Sequence, residues 1–224
     1  GFARPAIRPI AAAVATPDVP QSMIAPPAII IAAGGDGHRM GGGKPLRLLG
    51  GQSLLALAVA NAVAQSDCIA VAVREARQID AHGLPLLFDA IPGRGPISAL
   101  ASAFAFAAAQ DRAQVMLIGC DQPFLPRDLA ARLRMTLGEY KAAMPVSRGK
   151  YQPLAALWCV DEAALADYMA QGGTSLWRFA AAQGVVHVEW PGTDAHDPFA
   201  NINDPSGLAD AEAHLSTVAR TPAR

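Results

Sequence analysis

The 224-residue sequence predicts an α/β fold built on a mostly parallel, doubly wound sheet, and three observations carry that expectation. Short, almost wholly apolar runs recur at Ala28–Ala33, Cys68–Val73, Leu84–Phe88 and Gln114–Ile118. Helix-length segments separate them through about Gly138, the alternation expected of right-handed parallel crossovers. The runs also lack polar alternation, as strands covered on both faces do. A hydrophobic fraction of 52% is ample for such a core. A formal net charge of −1 argues against a general nucleic-acid binder, which carries a basic excess.

In chain order, Gly1–Pro27 is rich in Pro and Ala and has no clear period. Pro5, Pro9 and Pro17 interrupt any apolar core of signal-peptide type, so this stretch is expected to be a poorly ordered leader before a single domain over 28–220. Ala28–Ala33 is the first strand. A helix over Ser53–Gln65 packs on the sheet, and Cys68–Val73 and Leu84–Phe88 follow as strands. Pro96 opens an alanine-rich helix to about Gln110, since a missing N–H costs nothing in the first turn. After the strand at Gln114–Ile118, Pro126 opens a helix that ends near Gly138.

The second half is less regular. Ala142–Val146 and Pro153–Trp158 flank a turn at Ser147–Lys150 and form a small antiparallel excursion. Asp161 caps a helix to about Gln171, which Gly172-Gly173 stops. Thr174 starts another to about Gln183, Val185–Trp190 is a strand, and Asp204-Pro205 signals the final helix. No run reaches 18 uninterrupted apolar residues, so no membrane span is expected. Cys68, Cys120 and Cys159 form no C-x-x-C pair and read as buried, reduced thiols of a cytosolic protein.

The most informative stretch is Ala28–Pro45, AIIIAAGGDGHRMGGGKP. Strand, glycine-rich loop and helix together place backbone N–H groups and basic side chains around a phosphate chain. Two better-known glycine loops do not fit. In the dinucleotide pattern the third glycine would fall on Met40; in the P-loop pattern His38 takes the first glycine and Pro45 follows the lysine.

Gly119-Cys120-Asp121-Gln122-Pro123-Phe124-Leu125-Pro126 follows the fourth strand. Ligands of open α/β sheets lie beyond the carboxyl ends of the strands, so Asp121 shares an edge with the glycine-rich loop. A carboxylate there suits Mg²⁺, which is held by one or two carboxylates plus phosphate oxygens and waters. The competing role, capping the next helix, is weakened because Pro126-Arg127-Asp128 supplies that start. Between the two motifs lies Asp89-Ala90-Ile91-Pro92-Gly93-Arg94-Gly95-Pro96. It is either an ordinary glycine turn or a close backbone approach to a ligand at a helix N-terminus.

Asn201 and Asn203 point to one side of an extended segment and offer amide groups to a single ligand; a turn before a capped helix explains them equally well. His38, His82, His187, His196 and His214 have no metal-like spacing and read as structural or solvent-exposed. Ser53, Ser98 and Ser102 lack a G-x-S-x-G elbow, and Arg127, Arg132 and Arg134 read as a solvated helix face.

The form AAGG-x-x-x-RMGG followed by lysine resembles the opening signature of the nucleotidyltransferases, most closely the molybdenum cofactor guanylyltransferases. GCDQPFLP resembles that family's CD-x-PF-x-P segment, whose aspartate is the magnesium ligand. The 89–96 stretch is similar to its D-x-x-P-G-x-GP segment, and 201–205 to its closing N-x-N-x-P motif. The resemblance spans roughly 28–215 and keeps the order of all four motifs.

It implies a Rossmann-like, three-layer nucleotidyltransferase fold and a cytoplasmic, Mg²⁺-dependent enzyme. The implied reaction moves GMP from GTP to the phosphate of molybdopterin and releases pyrophosphate. GTP and molybdopterin are the implied small-molecule partners, molybdoenzyme maturation proteins further ones, with no nucleic acid and no membrane. By motif position, Ala32, Ala33, Gly34, Gly35, Lys44, Asp89, Gly93, Gly95 and Asp121 would bind nucleotide. Arg39, Lys44 and Asp121 would be catalytic, Asp121 the metal ligand, and Asn201 and Asn203 the acceptor-binding pair. Four positions depart from the family. Gly43 precedes Lys44 where an aspartate is usual, Val71 replaces an asparagine, Ala99 a glycine, and Ser175 a basic residue, although Arg178 lies one turn on. These departures bear on base and acceptor. The alternatives are cytidylyl or sugar-phosphate transfer on the same fold, or a non-catalytic nucleotide-binding protein.

Overall fold

A computed structural model describes residues 25–34, 43–73, 81, 83–89, 94–191 and 197–220. Among these, eight strands join in one sheet, in the order β10-β7-β9-β6-β1-β4-β5 with β8 beside β7. They are β1 (Ala28–Ala32), β4 (Ile69–Val73), β5 (Leu86–Phe88), β6 (Gln114–Gly119), β7 (Ala142–Ser147), β8 (Lys150–Tyr151), β9 (Leu157–Cys159) and β10 (Val185–Trp190). A separate two-stranded hairpin pairs β2 (Leu48–Leu49) with β3 (Gln52–Ser53). The helices are α1 (Leu54–Val63), α2 (Pro96–Ala109), α3 (Leu129–Leu137), α4 (Glu162–Ala170), α5 (Leu176–Gln183) and α6 (Pro205–Arg220). The pairs β1–β4, β1–β6, β4–β5 and β7–β10 are parallel; β9 lies antiparallel between β6 and β7. This is the mostly parallel sheet with an antiparallel excursion that the apolar runs predict.

Alternation along β1 divides the core. Ile29 and Ile31 face the layer of α1 and α3, with Leu55, Ala58, Leu129 and Leu133. Ala28 and Ile30 face α2, α4 and α5, with Leu100, Phe104, Leu165 and Phe179. Every residue of β4 and β6 is buried, which is why neither strand shows a polar face. Trp158 stacks on Phe179 at 5.8 Å between centroids, and Tyr168 closes on the same ring at 5.3 Å. A third, smaller cluster joins Leu49 and Leu54 to Ile202 and Ala211, seating α6 against the hairpin.

The caps at Asp161 and Asp204 are those expected, and Ser53, expected inside the helix, is the cap of α1. Ser53 accepts from the Ala56 N–H, Asp161 from the Ala164 N–H and Asp204 from the Gly207 N–H. Several expected boundaries shift. Pro153–Ala155 is a 3₁₀ turn rather than strand, bulging out where the chain leaves β8, opposite Val146 and Ser147, and re-enters the sheet as β9, opposite Ala142 and Ala143. Helix α3 starts at Leu129, three residues beyond Pro126, after a run of turns. Thr174 lies outside α5, whose cap is Ser175 accepting from the Arg178 N–H. Arg132 is not part of a merely solvated face. Its guanidinium lies 4.0 Å over the Trp190 ring and donates to the Glu189 carbonyl, tying α3 to β10. Of the leader expected over 1–27, residues 1–24 lie outside the described residues, and at its end the Pro26 and Pro27 carbonyls accept from Arg112 and Ser66.

Ser66 is a buried joint. Its hydroxyl donates to the Pro27 carbonyl at 2.6 Å and accepts from the Cys68 N–H at 3.0 Å, aligning β1 with β4 as both begin. Ser66→Ala strands both groups and is expected to cost about 1–3 kcal/mol. Urea unfolding measures it, and an unchanged midpoint would refute the joint.

Candidate functional site

Ala32, at the end of β1, registers with Ala72 of β4 on one side and Gly119 of β6 on the other. The chain runs outward from β1 to β4 and β5, then returns to the opposite side of β1 as β6. That reversal makes the crevice at these strand ends the expected ligand position. A cleft of about 190 Å³ opens there. Ala32, Ala33, Gly34 and Ala72 line one part and Gly119, Cys120 and Asp121 another. Asp89, Gly95, Pro96 and Ala99 contribute a second wall, with Lys44, Pro45 and Leu154 completing the lining.

The local sequence explains each placement. Gly43 has φ 59°, a left-handed turn that starts a 3₁₀ helix over Lys44–Leu46 and points Lys44 back at the sheet, with Pro45 buried beneath. Gly95 takes φ 67° and ψ −150° ahead of Pro96, a conformation open essentially to glycine alone, and delivers the N-terminus of α2 to the cleft. Gly119 serves by close approach instead. A Cβ there would sit 2.4 Å from Asp121 Oδ1, so the bare Cα is what lets the carboxylate fold back over the strand end.

Lys44 Nζ donates to Asp121 Oδ2 at 2.6 Å and to Asn203 Oδ1 at 2.8 Å. Both ionic side chains are mostly buried, at 12% and 18% exposure, so solvent screens the pair less than a surface bridge. The segment 197–203 straps across Asp121. The Ile202 N–H donates to the Asp121 carbonyl, Gln122 Nε2 donates to the Phe199 carbonyl, and Ser147 Oγ donates to Asp197.

The structure therefore brings together Ala32, Ala33, Gly34, Lys44, Asp89, Gly95 and Asp121, all expected from sequence. Asn201 and Asn203 are both exposed and neither lines the cleft, but Asn203 joins the site by accepting from Lys44. Gly35, Arg39 and Gly93 lie outside the described residues. Val71 is fully buried in the α1 and α3 layer, so its departure from the family pattern has no direct bearing on the cleft. Ala72, its neighbour, is the residue of β4 that lines it, and strand alternation was the signal for that position. Leu154 arrives from a distant 3₁₀ turn and had no local signal. Ser175, the fourth departure, is spent on capping α5.

The donor chemistry is that of a hard cation. Burial, reinforced by neighbouring Asp121, pushes the Cys120 thiol up to about 12, so no thiolate forms near neutrality. Among the described residues no three His, Cys, Asp or Glu side chains cluster for a metal. One carboxylate, with Oδ2 turned to Lys44 and Oδ1 over Gly119, fits an ion completed by phosphate oxygens and waters rather than an all-protein cage.

Comparison with known proteins agrees with this geometry. A MobA-like NTP transferase domain matches residues 29–186. The molybdenum cofactor guanylyltransferase of Rhodopseudomonas palustris is 39% identical over 202 residues, 84% of this chain and 91% of that protein. The one from Rhizobium rhizogenes is 34% identical over 204 residues, 85% of this chain and 93% of that protein. Among solved structures, molybdopterin-guanine dinucleotide biosynthesis protein A from Archaeoglobus fulgidus has a TM-score of 0.68 at 20% identity, covering 85% of this chain and 99% of its own. The 2-C-methyl-D-erythritol 4-phosphate cytidylyltransferase from Thermus thermophilus has a TM-score of 0.63 at 19% identity, covering 85% and 99%. At these identities the two structures speak to fold alone, and the fold they share with this chain is the nucleotidyltransferase fold.

Gly119→Ala probes the close approach directly. The added methyl group must push Asp121 off the strand end and part it from Lys44, while the remainder of β6 stays packed. A crystal structure of the variant is expected to show the pair broken and the sheet register unchanged; an intact pair would refute the steric role of Gly119.

Proposed function

The chain belongs to the MobA-like NTP transferase family, and from that premise we propose that it transfers GMP from GTP to the phosphate of molybdopterin and releases pyrophosphate. One observation carries the chemistry: a lysine ammonium and a strand-end carboxylate paired at the mouth of the switch-point cleft. The curated relatives' name supplies base and acceptor.

In the proposed step an acceptor phosphate oxygen attacks the α-phosphorus in line. The new P–O bond forms as the bond to the β-phosphate oxygen breaks, and the electron pair leaves with pyrophosphate. Little covalent chemistry falls to the protein, whose work is positioning and charge neutralisation. Lys44 offers its ammonium to the triphosphate, joined by Arg39 and the backbone N–H groups of the Gly34–Gly35 stretch. Asp121 would hold Mg²⁺, which supplies charge neutralisation on the phosphates when bound. Asp89, in the nucleoside-binding segment with Gly93 and Gly95, would present its carboxylate to the N1–H and amino group of guanine. Asn201 and Asn203 stand on the acceptor side. Three unpaired thiols suit a reducing compartment, and we place the enzyme in the cytoplasm, with molybdoenzyme maturation proteins as the receiving partners. Among the described residues no helix is long and apolar enough to cross a membrane.

CTP is the second reading, because the same fold carries the 2-C-methyl-D-erythritol 4-phosphate cytidylyltransferase of Thermus thermophilus. Pyrophosphate release with molybdopterin, Mg²⁺ and either nucleotide separates the two. GTP is expected to win by at least about a hundredfold, because a site that pairs its ligand's polar groups discriminates strongly. A preference for CTP overturns the base, and no release from any nucleoside triphosphate overturns the transfer. Asp121→Asn is expected to cut turnover by about two to three powers of ten with the unfolding midpoint unchanged, as when one charge-stabilising group is lost. Near wild-type turnover at low Mg²⁺ would remove Asp121 from the metal site.

A further inference from the structure

An ammonium carries three N–H donors in a tetrahedral arrangement. Lys44 spends one on Asp121 and one on Asn203, while its side chain lines the cleft. We infer that Asn203 is a positioning residue for Lys44, fixing the ammonium so that its third donor faces the triphosphate. This inference rests on the nucleotidyltransferase reading above and adds a role for Asn203 within it.

The surroundings fit that duty. Asn203 is held on both sides, since buried Ile202 donates its N–H to the Asp121 carbonyl and Asp204 caps α6 through the Gly207 N–H. The helix that follows is itself anchored, because Glu212 accepts from the Gly50 N–H of the hairpin beyond Lys44. The amide oxygen is thus presented from a fixed backbone, 159 residues along the chain from the lysine it meets. Without it, the long stem would let the ammonium rotate onto both oxygens of Asp121, withdrawing it from the phosphates and occupying the metal-side oxygen. Neutral asparagine is the suitable acceptor. A carboxylate in its place would surround one cation with two anions and repel a triphosphate.

A double-mutant cycle tests this by calorimetric titration of GTP with Mg²⁺ and no acceptor, on the wild type, Asn203→Ala, Lys44→Ala and the double variant. Asn203→Ala is expected to weaken GTP about tenfold, as for a lost hydrogen bond to a charged group, and to leave guanosine unchanged. In the Lys44→Ala background the same change should add nothing. Equal weakening in both backgrounds, or a rise only in the acceptor's KM, overturns the proposal. A second arm needs no nucleotide: acetylation of Lys44 by limiting acetic anhydride, read by peptide mass spectrometry. Its rate should fall several-fold in Asn203→Ala, as the ammonium closes onto both oxygens of Asp121, and stay at the wild-type value in Asn201→Ala. An unchanged rate in Asn203→Ala overturns the contact. Failure of the wild type to bind GTP overturns the transferase reading instead, and the acetylation result then decides for or against Asn203 by itself.

Discussion

One ammonium group ties the site together. Lys44 joins the glycine-rich loop to the end of β6 through Asp121 and to the C-terminal strap through Asn203, spanning 77 and 159 residues of chain. Burying such a pair is a poor way to gain stability, because desolvation of both ions consumes much of the attraction between them. A packed leucine would hold the three segments as well. What a leucine cannot do is keep a positive charge, largely shielded from water, beside a carboxylate at the mouth of a cleft. The placement therefore has a chemical rather than a structural reason.

The rest of the architecture can be understood as the means of holding that charge still. Parallel strands end at a common edge, and the register of Ala32 with both Ala72 and Gly119 levels three of them there. Small residues at these three ends keep the edge open, and a side chain at Gly119 would displace Asp121. Both faces of the sheet are then covered, with Ile29 and Ile31 in one layer and Ala28 and Ile30 in the other. The hairpin of β2 and β3 and helix α6 form a separate small core around Leu49, Leu54, Ile202 and Ala211. This outlying cluster fixes the strap, and the strap fixes Asp121 from above through Ile202 and Phe199.

How much of this could be read from sequence depended on the range of the interaction involved. Fully buried strands such as β4 and β6 announce themselves as apolar runs, and Asp161 and Asp204 cap helices by purely local hydrogen bonds. Asp121 was legible because a strand end followed by a carboxylate is a local pattern whose meaning the sheet edge supplies. The partnership of Lys44 with Asn203 was not, since it depends on where a strap 159 residues away settles. The same holds for Leu154, whose 3₁₀ turn reaches the cleft only because β9 lies antiparallel beside β6. Arg132 was misread as solvated because nothing near it in sequence discloses Trp190. Val71 and Ala72 were told apart only by register, as a shift of one residue exchanges the two faces of a strand.

Register also governs how a base would be chosen in the proposed reaction. With Ala32, Ala72 and Ala99 offering methyl groups alone, the cleft wall supplies shape but no hydrogen bonds from those side chains. Asp89 and Asp121 are the two carboxylates lining the cleft among the described residues. Discrimination then rests on the Asp89 carboxylate, while Lys44 and the N-terminus of α2 supply donors elsewhere in the cleft. A carboxylate suits a base edge with adjacent donors, and guanine has one in N1–H and its amino group. Cytosine sets its amino donor beside an unprotonated nitrogen, so the second acceptor would face a lone pair. Val71 faces the α1 and α3 layer and takes no part in that choice, so its departure from the family pattern leaves the selection by Asp89 in place.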